Sequence, residues 1–438
     1  MLHSRRSFLG GLALPAAASA AGINLLATLE AEALTISSSL ATHKGEPEEI
    51  AADEDFWSEV GRCFTVDRSI VNFNNGGVSP SPAFVQQAAK RNMDYCNSAV
   101  TARALFTYFP PQVEAVRQRV ARHWDVSPEE IAFTRNSSEA LQICQFGIDL
   151  KSGDEVLTTD QDYPRMRNTF RQRELREGIK LTLFPIPVPA DDEQKLVSLF
   201  EERITPSTKL ILMSHMINLT GQILPVKAIT AMARGHGIPV IVDGAHSFAH
   251  FAFTLKELDC DYFGTSLHKW LFAPHGTGLL YVRKEKVKDL WPMMAAPEGM
   301  EDDVRKFEEI GTHPIGLKAA IGEALTFHQN LGDARKEARL RFLRDAWAKR
   351  LLEASDRFIL HTSLKPEFSC GLATVAIEGI EPGALQAWLW EKQRIFVTPI
   401  VTEQFSGVRV TPNVYSTMEE VDRFCDAMEH AAKHGIAA

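Results

Sequence analysis

Several classes of protein are excluded by what this sequence lacks. Its six cysteines lie far apart without a C-x-x-C pair, which excludes a disulfide framework and a cysteine-based zinc site. The formal net charge of −9 provides no basic surface, so we expect no nucleic-acid partner. The body of the chain has no apolar run of about 18 residues or more, so we expect no membrane-spanning helix there.

The N-terminus, in contrast, has the composition of an export signal. Two arginines at positions 5 and 6 precede an apolar stretch, and small-residue A-x-A patterns follow at 18–20 and 31–33. This order resembles a twin-arginine signal of the type S-R-R-x-F-L. We therefore predict an export signal over residues 1–33 and a periplasmic or exported protein. The alternative is a chance basic start to a buried helix.

The rest of the chain divides into an arm and two domains. Residues 34–55 are polar and acidic, which predicts a loose arm within an N-terminal segment of residues 34–70. Apolar strand-like runs then alternate with helix-like stretches and occupy residues 130–134, 155–159, 180–186, 209–216, 239–245, 262–266 and 278–282. This alternation predicts a large α/β domain over residues 71–315, with a mostly parallel seven-stranded sheet. The last two runs are too close for a helical crossover, so we expect at least one antiparallel pairing.

A smaller α+β domain is predicted for residues 316–438. Residues 316–352 have the pattern of one long helix, and shorter strand-like runs follow. The chain closes with a helix that we expect Ser416 or Thr417 to cap.

The polar residues that follow the predicted strands indicate a ligand site. Asp243 is the first polar residue after a buried strand, and Lys269 lies about one strand further along. Ser137 and Ser138 begin a helix, where free backbone N–H groups favour an anion such as phosphate. Ligands of open α/β sheets bind at the carboxyl ends of the strands. A phosphate cradle, an aspartate and a lysine together suit pyridoxal 5′-phosphate, although a solvated surface lysine is the commonest alternative for Lys269.

Six motifs in order resemble those of the class V aminotransferases, which are fold-type I pyridoxal-phosphate enzymes with a large domain and a smaller C-terminal one. The motifs are NNGGVSPSP, TRNSSEA, VDGAHS, SLHKWLFAPHGTGLLYV, EIGTHP and VRVTPNVYSTMEEVDR. The resemblance extends from about residue 70 to the end of the chain, and HKWLFAPHGTG is most similar to the isopenicillin N epimerase branch. It implies an enzyme that acts at Cα of an amino acid or of a small molecule that contains one.

The resemblance also implies a role for each matched residue. Lys269 corresponds to the Schiff-base lysine, and Asp243 to the partner of the pyridine nitrogen. His246 and Asn218 correspond to contacts with the phenolic oxygen of the ring, and Tyr163 to the group that stacks on its face. For Asp243 the alternative is a helix cap, and for Tyr163 it is an ordinary core position.

The phosphate and substrate contacts follow in the same way. Ser266 and His268 correspond to phosphate ligands beside the lysine. Thr312 corresponds to a phosphate contact from the other subunit, which implies a homodimer. Arg409 corresponds to the arginine that binds a substrate α-carboxylate, with a structural salt bridge as the alternative.

One departure from the family bears on the reaction. Cysteine desulfurases have a nucleophilic cysteine shortly before this arginine, whereas residues 392–407 contain none and Cys370 has a core-like context. Persulfide chemistry is therefore disfavoured. Epimerisation, transamination, β-elimination of a carbon–sulfur bond and tailoring of siderophore peptides by an exported enzyme stay open.

Two hypotheses from other classes compete with the enzyme described above. A metal-dependent hydrolase would use the histidines at 215, 246, 250, 268 and 275, but no H-E-x-x-H motif is present and we expect no metal. A non-catalytic exported binding protein would give no reason for a lysine at the edge of the sheet.

Overall fold

The computed structural model describes residues 28–436, which form a seven-stranded sheet, a four-stranded sheet and a two-stranded parallel sheet of β1 and β11, with helices packed around them. The strands are β1 (Val71–Asn72), β2 (Ile131–Thr134), β3 (Glu155–Thr159), β4 (Lys180–Phe184), β5 (Thr208–Ser214), β6 (Val240–Asp243), β7 (Tyr262–Ser266), β8 (Gly278–Val282), β9 (Phe358–Leu360), β10 (Ala373–Ile377), β11 (Ile395–Phe396), β12 (Thr398–Val401) and β13 (Ser406–Val410). The helices are α1 (residues 28–40), α2 (Pro47–Ala51), α3 (Glu54–Arg62), α4 (Ala83–Ser98), α5 (Thr101–Arg103), α6 (Phe109–His123), α7 (Ser137–Gly147), α8 (Pro164–Glu177), α9 (Glu193–Glu201), α10 (Val226–Gly235), α11 (Leu255–Leu258), α12 (Ile315–Ala319), α13 (Ile321–Leu331), α14 (Asp333–Ala354), α15 (Pro382–Gln393) and α16 (Met418–His434).

The large sheet has the seven predicted strands in the order β2-β8-β7-β6-β5-β3-β4. Strand β8 runs antiparallel to both β2 and β7, and the other neighbours pair in parallel. The central strands β6 and β7 are buried along their whole length, as continuous apolar runs covered on both faces should be. The predicted mixed, mostly parallel sheet is confirmed.

The ends of five strands meet at one edge of this sheet. Ser214 pairs with Asp243 in register, and Ser266 pairs with Gly278 at the start of the antiparallel strand β8. Gly278 also pairs with Thr134, so the turn into helix α7 lies beside the end of β7. A Cβ on Gly278 would lie 2.6 Å from Cα of Asn136, so only glycine admits this approach.

The C-terminal part has an antiparallel sheet in the order β12-β13-β10-β9, packed against α14 and α16. The predicted single helix over residues 316–352 is wrong, because the segment forms α12, α13 and α14. The second break falls at Gly332, which has a φ of +84° and is the C-cap of α13. Thr417 caps α16, in a capping box with Glu420.

The segment before β1 differs from the prediction of a loose arm. Residues 28–40, α2 and α3 are helical, and Ala33, Ile36 and Leu40 are buried in the main core. Their i, i+3, i+7 spacing gives one apolar face, which the acidic composition of the segment conceals. The predicted arginine pair of the export signal lies outside the described residues. Within residues 28–436, no helix has the length and apolar character needed to cross a membrane.

Candidate active site

A cleft at this edge of the sheet contains ten of the eleven predicted site residues. They are Ser137, Ser138, Tyr163, Asn218, Asp243, His246, Ser266, His268, Lys269 and Arg409. The eleventh, Thr312, is exposed and lies outside the cleft. The strand ends therefore bring together residues that are up to 272 positions apart in the chain (409 − 137).

Lys269 lies three residues after the end of β7, and the apolar residues that follow it are packed in the core. The next four residues, 270–273, are fully buried. Their burial fixes the position of Lys269, which stands in an otherwise apolar segment. Its Nζ lies 3.2 Å from Nε2 of His246. Burial lowers the pKa of Lys269 to about 8, although the carboxylate of Asp243 opposes this shift. The amine is therefore far closer to losing its proton at neutral pH than a surface lysine.

Asp243 ends β6 as a buried carboxylate. Its Oδ1 accepts a hydrogen bond of 2.9 Å from the backbone N–H of Ala245. Burial raises the pKa of Asp243 to about 6, against the effects of that hydrogen bond and of Lys269. A buried carboxyl group in this state is suited to a ligand that brings a protonated nitrogen.

Three buried polar atoms of cleft residues have no hydrogen-bond partner among residues 28–436. They are Nδ1 of His246, Oδ1 of Asn218 and Nε of Arg409. Burial keeps the pKa of His246 well below its ordinary value, so its ring is neutral at pH 7. Because buried polar atoms are nearly always satisfied, these orphans indicate a polar ligand. The side chains of His246 and Asn218 suit the phenolic oxygen of pyridoxal phosphate, and the guanidinium group of Arg409 suits a carboxylate.

The phosphate end of the cleft is formed by the start of α7. Oγ of Ser266 accepts a bond of 2.9 Å from the N–H of Ser137, and the two hydroxyl groups lie 3.0 Å apart. Nδ1 of His268 donates to the carbonyl of Thr277 at 3.1 Å, which leaves Nε2 for a ligand. Burial lowers the pKa of His268 to about 4, so the ring is neutral until an anion arrives.

Tyr163 stands at the start of α8, on a loop that a buried aspartate fixes. Oδ2 of Asp162 accepts bonds from the hydroxyl groups of Thr158 and Thr159 at 2.8 and 2.7 Å. Oδ1 accepts from the N–H and the hydroxyl of Ser214 at 2.6 and 2.7 Å. Asp162 therefore ties the tyrosine loop to β5. The sequence reasoning missed it, because its partner on β5 is 52 residues away.

Arg409 is 6% exposed, lies on β13 and lines the cleft. Its two terminal nitrogens donate to the carbonyl of Asn218 and to Oδ1 of Asn74, both at 2.9 Å. It makes no ion pair with any acidic side chain of residues 28–436. Burial lowers the pKa of Arg409 to about 10. A buried guanidinium without an acidic partner argues against the structural salt bridge and for an anionic ligand.

His250 connects the cleft to the C-terminal part. Its Nδ1 donates to the carbonyl of His246 at 2.8 Å, and its Nε2 accepts from the N–H of Gly371 at 3.0 Å. Both ring nitrogens are thus used, so His250 has none left for a metal ion. Across the described chain, the one group of three potential ligands is His123, His328 and Asp333, which contains none of the histidines of the hydrolase hypothesis.

Comparisons with known proteins identify the family of this chain. The family model for aminotransferase class V matches residues 71–424. The isopenicillin N epimerase of Streptomyces clavuligerus is 30% identical over 400 residues, which cover 85% of this chain and 98% of that protein. A probable cysteine desulfurase of Halalkalibacterium halodurans is 29% identical over 390 residues, with coverages of 83% and 94%. Among solved structures, the cystine C–S lyase C-DES, in complex with its product cysteine persulfide, superposes with a TM-score of 0.73 at 23% identity, covering 83% of this chain and 98% of that one.

Proposed function

This chain belongs to the aminotransferase class V family of pyridoxal-phosphate enzymes, and on that premise we propose that it moves a proton at Cα of an amino acid or of a small molecule that contains one. One observation carries the proposal: Arg409, buried and without an acidic partner, shares a cleft with Lys269 and with no thiol. The guanidinium group suits a substrate carboxylate, and the lysine suits the proton on the adjacent carbon.

Each part of the cofactor has residues that would hold it. Asp243 would hold the ring nitrogen, and Asn218 and His246 the phenolic oxygen. The phosphate would lie at the start of α7, against Ser137, Ser138, Ser266 and His268. When bound, pyridoxal phosphate supplies an electron sink for the bonds at Cα.

The work of the chain itself is to orient the substrate and move the proton. Arg409 fixes the carboxylate in one orientation, because a planar guanidinium group can bind it with two parallel hydrogen bonds. Nζ of Lys269 takes the Cα proton, helped by a pKa that burial brings to about 8. His246, 3.2 Å from that Nζ, orients the amine without competing for the proton, because burial keeps the pKa of its ring well below the ordinary value.

The fate of the proton separates the candidate reactions. Epimerisation needs a second acid on the opposite face of the substrate, and Tyr163 or a residue of the segment 291–312 is the candidate. Transamination needs Lys269 alone, together with a 2-oxo acid. Epimerisation is the first candidate, supported by the 30% identity to an isopenicillin N epimerase over nearly its full length.

Cleavage of a carbon–sulfur bond is the second candidate, and the similarity to desulfurases supports it. Persulfide formation on the enzyme is disfavoured, because all six cysteines are buried and none lines the cleft. Tailoring of a siderophore peptide stays open as a special case of chemistry at Cα.

Incubation of the holoenzyme in deuterated water tests the proposal. Amino acids and peptides with an amino-terminal glutamyl-type residue are offered with and without a 2-oxo acid. Label at Cα with inversion and no acceptor supports epimerisation, and acceptor-dependent loss of the amine supports transamination. Sulfide release from cysteine at a comparable rate would overturn the exclusion of persulfide chemistry.

We further propose that the enzyme is an exported homodimer. The arginine pair at positions 5 and 6 supports twin-arginine export, and replacement of both by lysine should retain the protein in the cytoplasm. Thr312 is exposed on one subunit, which is consistent with a phosphate contact made across a dimer interface. A monomeric holoenzyme at micromolar concentration by light scattering would contradict the dimer.

A further inference from the structure

A second cluster of potential ligands lies where three helices meet, and it shares no residue with the active-site cleft. His123 is the last residue of α6, His328 lies in the last turn of α13, and Asp333 begins α14. Gly332, with its φ of +84°, turns the chain so that Asp333 returns to His328. The cluster thus joins the junction of α13 and α14, residues 328–333, to helix α6, about 200 residues earlier in the chain.

The three ligand atoms of this cluster lie close enough together to surround one metal ion. Nε2 of His328 lies 2.8 Å from one carboxylate oxygen of Asp333, and Nε2 of His123 lies 3.2 Å from the other. All three ligand atoms lie within 4.8 Å of one another. Tetrahedral zinc, with bonds of about 2.0–2.1 Å, holds its ligand atoms about 3.3 Å apart. A small displacement of these side chains would therefore accommodate the ion.

His328 is the feature that hydrogen bonding within the protein does not explain. The ring is 1% exposed, and within residues 28–436 its Nδ1 has no partner, while Nε2 lies 2.8 Å from Asp333 at an angle that is poor for a hydrogen bond. A ring nitrogen close to an oxygen but directed elsewhere is the arrangement of two ligands that share one ion. Trp124 lies nearly parallel to the ring, at 5.9 Å between centroids and an interplanar angle of 5°. A buried polar group without partners requires an explanation.

We propose that His123, His328 and Asp333 bind one divalent cation of the zinc class. The donor set of two imidazoles and a carboxylate is one that zinc prefers. His123 and Asp333 have side chains 18% and 33% exposed, so the ion has a route of entry and a fourth position for water. The ion would link α6 to the junction of α13 and α14 and so stabilise the fold from a position outside the cleft.

Zinc binding to the full-length holoenzyme tests this site. The protein is stripped with a chelator and titrated with Zn²⁺ against a chromophoric competitor, and its metal content is measured. We expect one ion per chain and a rise in melting temperature. His123→Ala and Asp333→Asn should weaken binding by about 100-fold or more and abolish the thermal shift. Because both residues are partly exposed, both variants are expected to fold.

A matched control separates this site from adventitious binding. His236 lies 3.6 Å from Glu201 on the surface, and His236→Ala should bind zinc as the wild type does. Co²⁺ gives a second readout, since tetrahedral coordination produces visible bands that His123→Ala should lose. Absence of stoichiometric zinc at micromolar concentrations, or unchanged affinity in His123→Ala, would show a hydrogen-bonded cluster only and overturn the proposal. Neither result depends on which reaction the enzyme catalyses.

Discussion

Two buried arginines behave in opposite ways, and the difference separates structure from function in this molecule. Arg117 is 1% exposed and is neutralised by Glu308 at 2.5 Å and Glu114 at 2.9 Å. Arg409 is 6% exposed, and within the described residues its guanidinium group donates hydrogen bonds only to a carbonyl and an amide oxygen. Burial of a charge is costly unless it is paired, so the protein completes the first site itself and leaves the second for a ligand.

Two buried carboxylates, those of Glu155 and Asp243, show the same contrast between a group that the protein pairs and one that it leaves for a ligand. Glu155 accepts hydrogen bonds from three threonine hydroxyl groups and pairs with Lys180, which together hold its pKa at about 2 although burial opposes the shift. Asp243 has one backbone hydrogen bond, and burial raises its pKa to about 6. Glu155, at the end of the sheet opposite the cleft, has hydrogen-bond partners within the protein for both carboxylate oxygens. Asp243 needs a partner from outside the chain.

The largest effect is expected at Lys269. Lys269→Ala removes both the covalent anchor and the base, so we expect a loss of activity of about 10⁴-fold or more. Borohydride reduction of the wild-type holoenzyme should place the pyridoxyl group on Lys269 and nowhere else, as peptide mass spectrometry checks. Cofactor retained by the variant would be held by the phosphate end alone. A modified peptide from another segment would contradict the assignment.

The two arginines provide the next comparison. Arg409→Lys keeps the charge but loses the planar pair of hydrogen bonds, so we expect KM to rise by about 100-fold with the melting temperature nearly unchanged. Arg117→Met leaves Glu308 buried without its nearest partner, and we expect a loss of about 3 kcal/mol in the free energy of unfolding with KM unchanged. Steady-state kinetics and thermal unfolding of both variants measure the four values. An equal rise in KM in the two variants would contradict the assignment of Arg409 to the substrate and of Arg117 to the structure.

A moderate effect is expected at His250, which we regard as a positioning residue. His250→Phe leaves the N–H of Gly371 and the carbonyl of His246 without their partner, so His246 should shift against Lys269. We expect kcat to fall about tenfold and the pH titration of the cofactor absorbance to move. Stability alone would also fall in a purely structural variant, so the absorbance titration is the decisive measurement.

Thr362→Val is the matched control for that variant. Thr362 also bridges two backbone groups, the carbonyl of Thr220 and the N–H of Thr374, but it does not touch His246. We expect a similar loss of stability with an unshifted titration. If both variants shift the absorbance alike, His250 has no special role in positioning.

The parts of the fold and site that could be predicted are those that depend on neighbouring residues. The seven strands follow from apolar runs, and Lys269 stands out because buried residues follow it directly. The helices of residues 28–62 could not be found from composition, because their acidic residues conceal one apolar face. The break at Gly332 is hidden inside a helical pattern, where glycine is tolerated.

Partners that are distant in the chain account for the rest. Asn74 holds Arg409 from 335 residues away, and Gly371 reaches His250 across 121. No local pattern marks such pairs, since each side chain is ordinary in its own segment. The matched motifs named residues that line one cleft in the structure, whereas the residues that hold them in place were visible only in the structure.

The smallest effect concerns the proton on His268. Nδ1 already donates to Thr277, and burial lowers the pKa of the neutral ring to about 4 in the cleft without its ligand. A phosphate dianion beside Nε2 stabilises the charged ring and so raises this pKa. At pH 6 the ring of His268 is therefore mostly neutral without the cofactor and more protonated with it. Cofactor binding at this pH should take up a fraction of a proton from solution. Calorimetry of the apoenzyme in buffers of different ionisation enthalpy measures this uptake, and His268→Gln should reduce it by that fraction. Equal uptake in wild type and variant would mean that His268, like Arg117, is already satisfied by the protein and takes no part in binding the phosphate.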